Sequence, residues 1–141
     1  IRSSTINLKI NLLKQTEDIY ILGDENKIAQ VFDNLIQNAS SFSKENNFIN
    51  IRIEKNLENV TITVEDNGPG FSKGSLKKVF DRFYTDRPKN EKFGNHSGLG
   101  LSISKQIVEA HGGSIKALNR INQKNECLGG SVKVAFPEIK T

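Results

Sequence analysis

The strongest periodicity in the chain lies in "GDENKIAQVFDNLIQNASSFS" (23–43), where Ile28, Val31, Phe32, Leu35, Ile36 and Ala39 recur at three- and four-residue intervals. That spacing lines one stripe of a helix. Asp24 stands where an N-cap belongs, and Lys27 three residues on leaves no capping box. Two later segments alternate instead. "FINIRIEK" (48–55) sets Ile49, Ile51 and Ile53 against Asn50, Arg52 and Glu54, and "NVTITVED" (59–66) repeats the pattern with Val60, Ile62 and Val64. The short turn between them, Leu57 to Asn59, predicts an antiparallel pair.

The remaining pieces fall around these. "INLKI" (6–10) and "DIYIL" (18–22) predict strands, as do "SIKAL" (114–118) and "SVKVAF" (131–136). "SLKKVFDRFY" (75–84) predicts a short helix with an aromatic cluster. "GLGLSISKQIVEAHGG" (98–113) predicts a second helix, with Leu101, Ile103, Ile107 and Val108 inward and Gly112-Gly113 as its stop. Between the last two, "TDRPKNEKFGNHSG" (85–98) is polar and aperiodic, the pattern of a functional lid or of disorder. No repeat or interdomain linker interrupts the chain, so residues 1–141 form one domain. The element order predicts an α+β fold: a two-layer sandwich whose mixed, mostly antiparallel sheet carries its helices on one face.

One stretch resists this scheme. In "TVEDNGPGF" (63–71), Asn67-Gly68 is a strong hairpin signal, yet no second strand follows it. Pro69, Gly70, Phe71, Ser72, Lys73 and Gly74 cannot alternate, and Pro69 has no N–H for a ladder. The glycines therefore serve a loop, not a hairpin.

Composition narrows the classes further. The formal net charge of +4 is mild, and its cations are scattered among acids, which argues against nucleic acid as a partner. Cys127 is the only cysteine, so there is no disulfide framework or thiolate metal site, and an inert thiol in a reducing compartment is expected. No apolar run reaches membrane-spanning length. The chain opens on "IRSSTINLKI" without Met, as a domain within a longer protein would.

The chemistry-bearing residues are few. Asn34 and Asn38 lie four apart, one turn along a shared helix face at the edge of the apolar stripe. The plain alternative is two solvated amides; as a pair they offer carbonyl oxygens suited to Mg²⁺ beside a triphosphate. Asp66 either caps a turn or accepts a hydrogen bond from a purine's exocyclic amine, which favours adenine over guanine. Gly68 and Gly70 would let the backbone approach a flat ring. Gly98 and Gly100 open the second helix, where free amides and the helix dipole attract phosphate. Neither G-x-G-x-x-G nor a P-loop string occurs. His96 lies in the polar segment, and His111, near a helix end, reads as a favourable charge or a packing residue. They build no catalytic triad or metal cluster.

Four of these pieces occur in a telling order. "NLIQN" (34–38), "DNGPG" (66–70), "FDRFY" (80–84) and "GLGL" (98–101) resemble the N, G1, F and G2 boxes of the histidine-kinase catalytic and ATP-binding domain. Its fold, the Bergerat ATP-binding fold, is shared with DNA gyrase, Hsp90 and MutL. "SGLGLSISKQIVEAHGGSI" and "GGSVKVAFP" resemble the family's closing segments, and the likeness runs from about residue 6 to 137. The "SSFS" ending is similar to that of envelope-sensing kinases of the ChvG/ExoS type.

The resemblance implies ATP and Mg²⁺ as ligands. It makes Asn38 the metal ligand and puts Asn34 near the phosphates, with Asp66 on the adenine amine beside Gly68 and Gly70. Phe42 and Phe83 become ring contacts, and Gly98, Leu99, Gly100 and Leu101 bracket the triphosphate at the end of a lid over about 80–97. Arg82, Arg87 and Lys89 are phosphate candidates. Ser41 departs from the pattern, standing where the family commonly carries a cationic phosphate partner. The partners implied are a dimerisation domain bearing the acceptor histidine and a downstream response regulator. The full-length protein would then be a homodimer in the bacterial inner membrane, with this domain, monomeric alone, on the cytoplasmic side.

The hydrolytic members of the fold are similar in carrying Glu one turn before the metal Asn; here that position is Asn34. An amide has no basic lone pair near neutral pH and cannot activate water. This favours phosphotransfer to histidine over hydrolysis, with a non-catalytic nucleotide-binding module and an anti-sigma-type serine kinase as the alternatives. Asn34→Glu is expected to raise ATP hydrolysis by roughly tenfold or more. Unchanged phosphate release with nucleotide binding retained would refute that account of Asn34.

Overall fold

The computed structural model describes residues 7–12, 18–42, 48–72, 74–84 and 100–139. Its first long element is α1 (Glu25–Phe42). The helix starts where the sequence predicts, because Asp24 Oδ1 accepts from the N–H groups of Asn26 and Lys27 at 2.9 and 3.2 Å. Val31, Leu35 and Ala39 are its buried stripe. The second helix, α2 (Gly100–Ala110), ends as expected: Gly113 N–H reaches Val108 O at 2.9 Å and Gly112 N–H reaches Glu109 O at 3.0 Å.

Five strands form one sheet: β1 (Asn7–Leu12), β2 (Phe48–Asn56), β3 (Asn59–Glu65), β4 (Ser114–Ile121) and β5 (Cys127–Pro137). Their spatial order is β1-β2-β3-β5-β4, with β1 parallel to β2 and every other pair antiparallel. Alternation then sorts the two faces. Ile49, Ile51, Val60, Ile62, Val64, Val132, Val134 and Phe136 are buried with Val31 and Leu35 of α1 and Val108 of α2 in one core. The opposite face is polar, with Arg52 and Asn50 bonded to Glu65 at 3.0 and 2.8 Å. The α+β sandwich with helices on one face is the observed architecture.

Two expected elements differ. "DIYIL" is not a strand. Ile19 and Ile21 pack against the core while Tyr20 and Leu22 stay exposed, and the segment's link to the sheet's tail is the bond from Ile139 N–H to Tyr20 O, 2.8 Å. Its alternation serves burial without a ladder. The helix expected over 75–84 shrinks to one 3₁₀ turn, Lys78–Phe80, which buries Val79 and Phe80 and gives way to extended backbone at Asp81.

The two helices run antiparallel. The start of α1 meets the end of α2, where His111 Nε2 accepts from Asp24 N–H at 3.1 Å and His111 Nδ1 lies 2.7 Å from Ile107 O. Nδ1 must donate to that carbonyl, so the ring is the neutral Nδ1–H tautomer. His111 is thus a bridge between the helix ends. The later half of α1 meets the start of α2 through Asn34 and Gly100. Because α2 turns directly into β4, the end of β4 shares a side of the sandwich with the start of α2 and the later half of α1. β3 ends there too, since Asp66 pairs with Gly130 opposite Asn119.

His111→Ala removes an acceptor at one helix start and a donor at the other's end. It is expected to cost about 1 kcal/mol, read as a lower urea midpoint at unchanged slope.

Candidate functional site

Asp66 is the centre of this end of the molecule. Only 3% of its surface is exposed, which is unusual for a carboxylate. Its Oδ1 accepts from Gly68 N–H at 2.9 Å and from Gly130 N–H at 3.0 Å, while its own N–H donates to Gly130 O at 2.9 Å. The first bond closes an Asx turn, the reason Asn67-Gly68 bends the chain without starting a hairpin. The other two dock the residue on β5. The glycine pair makes this approach possible: a Cβ on Gly129, whose φ is +149°, would fall inside the carbonyl of Asp66.

The loop that follows is gripped from β4. Asn119 donates from Nδ2 to Phe71 O at 2.8 Å and accepts at Oδ1 from Phe71 N–H at 2.7 Å, replacing a missing strand neighbour. Arg120 Nη2 donates to Asp66 O at 2.7 Å, Asn67 Oδ1 at 2.8 Å and Leu128 O at 3.2 Å. Gly70 has φ +82°, and a Cβ there would lie 2.5 Å from Cys127 Sγ and 2.7 Å from Asn119 Oδ1. Its lack of a side chain thus also answers to protein neighbours. Cys127 is an exposed free thiol.

The helix layer at the same end of the sandwich carries the amides. Asn34 Nδ2 lies 3.3 Å from both Gly100 O and Ser104 Oγ. Gly100 O only accepts, so the amide nitrogen faces α2 and the amide oxygen is turned from it. Ser104 is fully buried, its small side chain lying against Asn34 of α1, and Ser102 is nearly so. The apolar pattern of the sequence gave no sign of either. Asn38, one turn on from Asn34, is half-buried. Ser41 Oγ donates to Gln37 O at 2.7 Å, so its hydroxyl is turned to its own helix rather than offered to a phosphate.

The other expected residues are described only in part. Phe83 is 65% exposed with φ +66°, and the Arg82 guanidinium sits 5.3 Å from its ring centre. Leu101 packs partly against the core. Phe42 is described only as the last backbone position of α1. Gly98, Leu99, Arg87, Lys89, His96 and most of the lid over 80–97 lie outside the described residues.

Among the described residues, no group of three or more His, Cys, Asp or Glu is arranged to hold a metal. The oxygen donors at the α1 wall are neutral carboxamides. They suit Mg²⁺ that arrives with a polyphosphate and keeps phosphate and water as its other ligands.

Residues 23–139 match the family described as histidine kinase-, DNA gyrase B- and HSP90-like ATPases, and the chain belongs to it. Its relatives include the sensor protein ChvG of Agrobacterium fabrum, 44% identical over 120 residues, which are 84% of this chain and 20% of that protein. The sensor histidine kinase WalK of Bacillus subtilis is 45% identical over 103 residues, 71% of this chain and 17% of that protein. The solved catalytic domain of histidine kinase ThkA matches with a TM-score of 0.75 at 31% identity, covering 94% of this chain and 80% of that one. ThkA is also known in complex with the response regulator protein TrrA. The chain spans about a fifth of the length of the curated relatives ChvG.

Gly129→Ala is expected to destabilise the fold by about 2 kcal/mol or more, because backbone must move. Gly100→Ala should be neutral or stabilise by up to about 1 kcal/mol, since among the described residues its Cβ would meet only Asn34 at 4.0 Å. Urea denaturation of both variants checks the contrast.

Proposed function

We propose that the chain binds Mg·ATP between the later half of α1, the loop after β3 and the start of α2. From there it donates the γ-phosphoryl group to a histidine on a separate dimerisation domain of a longer sensor kinase. The observation that carries this reading is a buried, pre-oriented Asp66 at the same end of the sandwich as the Asn34–Gly100 contact.

Each wall has its chemistry. Asp66, already turned by two main-chain N–H groups, accepts the exocyclic amine of adenine and opposes the oxygen that guanine would present. Asn38 supplies a metal oxygen, and Asn34 ties the phosphate-side helix start to α1. Magnesium neutralises phosphate charge during transfer. Gly98 to Leu101 and the basic residues Arg82, Arg87 and Lys89 are assigned to the phosphates. Asn34 withholds a general base from water, leaving the γ-phosphorus to an aligned imidazole nitrogen. A response regulator then takes the phosphoryl group, in keeping with the partner of ThkA. The longer protein is assigned to the bacterial inner membrane, with this domain on its cytoplasmic side and no helix among the described residues long and apolar enough to cross.

Calorimetric titration with AMPPNP, with and without Mg²⁺, tests the reading. Asp66→Asn keeps an acceptor for Gly68 and Gly130 but turns a donor towards the amine, so affinity should fall tenfold or more with little change in melting temperature. The chain incubated alone with labelled ATP should stay unlabelled. Saturable binding that ignores Asp66→Asn, or label on His96, would overturn it.

A further inference from the structure

Consecutive residues of a strand point to opposite faces of a sheet. Asn119 and Arg120 use this to hold the loop after β3 from both sides, one at Phe71 and the other at Asp66 and Asn67. The two grips differ in consequence. Asn119 fixes the loop's far end. Arg120 fixes the peptide plane between Asp66 and Asn67, and that plane sets where Gly68 N–H stands to receive Asp66 Oδ1. The guanidinium also reaches Leu128 O, beside the Gly129–Gly130 pair on which Asp66 docks. Its Nε–H is buried without an acceptor, so this placement sacrifices one donor while Nη2 bonds three oxygens.

We propose that Arg120 is a positioning residue for purine specificity, holding the Asp66 carboxylate at the angle that distinguishes adenine from guanine. The proposal rests on the nucleotide reading above and names a residue that touches no nucleotide itself. Without Arg120 the Asx turn and the Gly130 bond remain available, but the peptide plane between them is free to rotate. The carboxylate then samples several directions, and the adenine amine loses more than the phosphates do.

The test compares AMPPNP and GMPPNP binding in Mg²⁺ for wild type, Arg120→Ala, Arg120→Lys, Asp66→Asn and the Arg120→Ala/Asp66→Asn double variant. Arg120→Ala should weaken AMPPNP about tenfold and GMPPNP less than threefold, shrinking the adenine preference. Arg120→Lys, which keeps one cationic donor, should recover part of that preference. In the Asp66→Asn background, Arg120→Ala should add less than twofold, because its effect passes through the carboxylate. Should Arg120→Ala not fold, the Lys variant carries the same comparison. Equal losses for both analogues, or a lower melting temperature with the preference intact, would overturn the role of Arg120 alone. No nucleotide binding by wild type, or an Asp66→Asn variant that binds normally, would overturn the underlying site as well.

Discussion

The site depends on one contact: the main chain of Asp66 laid against the main chain of Gly129 and Gly130. Asp66 leaves β3 as the strand ends, yet it continues the pairing with β5 for one more residue through N–H and side-chain oxygen together. A carboxylate this buried is stable only when donors meet it. Here the donors are backbone N–H groups, one from Gly130 in β5 and one from Gly68 in the loop that Arg120 holds. The carboxylate is thereby held between a strand and the loop that follows β3.

The helix layer is built differently. Two antiparallel helices are joined at both ends by polar contacts, His111 to Asp24 at one and Asn34 to Gly100 and Ser104 at the other. Between them lies the apolar seam of Val31, Leu35, Ile107 and Val108. The seam supplies most of the stability, since burial of such side chains outweighs single hydrogen bonds. The polar ends supply register. They determine which turn of α1 faces the start of α2, and so hold Asn34, with Asn38 one turn along, beside that helix end.

Much of this was legible from residue order. The three-and-four spacing of 23–43 and the alternation of 48–55 and 59–66 reproduce α1, β2 and β3 closely. Asp24 as N-cap and Gly112-Gly113 as stop act as their chemistry demands. The failures share a cause. "DIYIL" alternates as a strand does, but pairing depends on what lies alongside, and none of the described residues offers it a ladder. Leu76, Val79 and Phe80 are apolar at helical spacing, yet Val79 and Phe80 bury themselves in a single 3₁₀ turn.

The sequence by itself determined most of the elements, the two-layer class and the residue types of the candidate site, because periodicity and turn chemistry act over a few neighbours. Asp66, Asn34 and Asn38 stand out on those grounds, and "GLGL" likewise. Only the tertiary structure decided why Gly70 and Gly129 must be glycine and why Asn119, Arg120 and Ser104 matter. Their partners lie 48 to 70 residues away along the chain. A close approach between two backbones leaves no local periodicity; it exists once the sheet has brought the strands together.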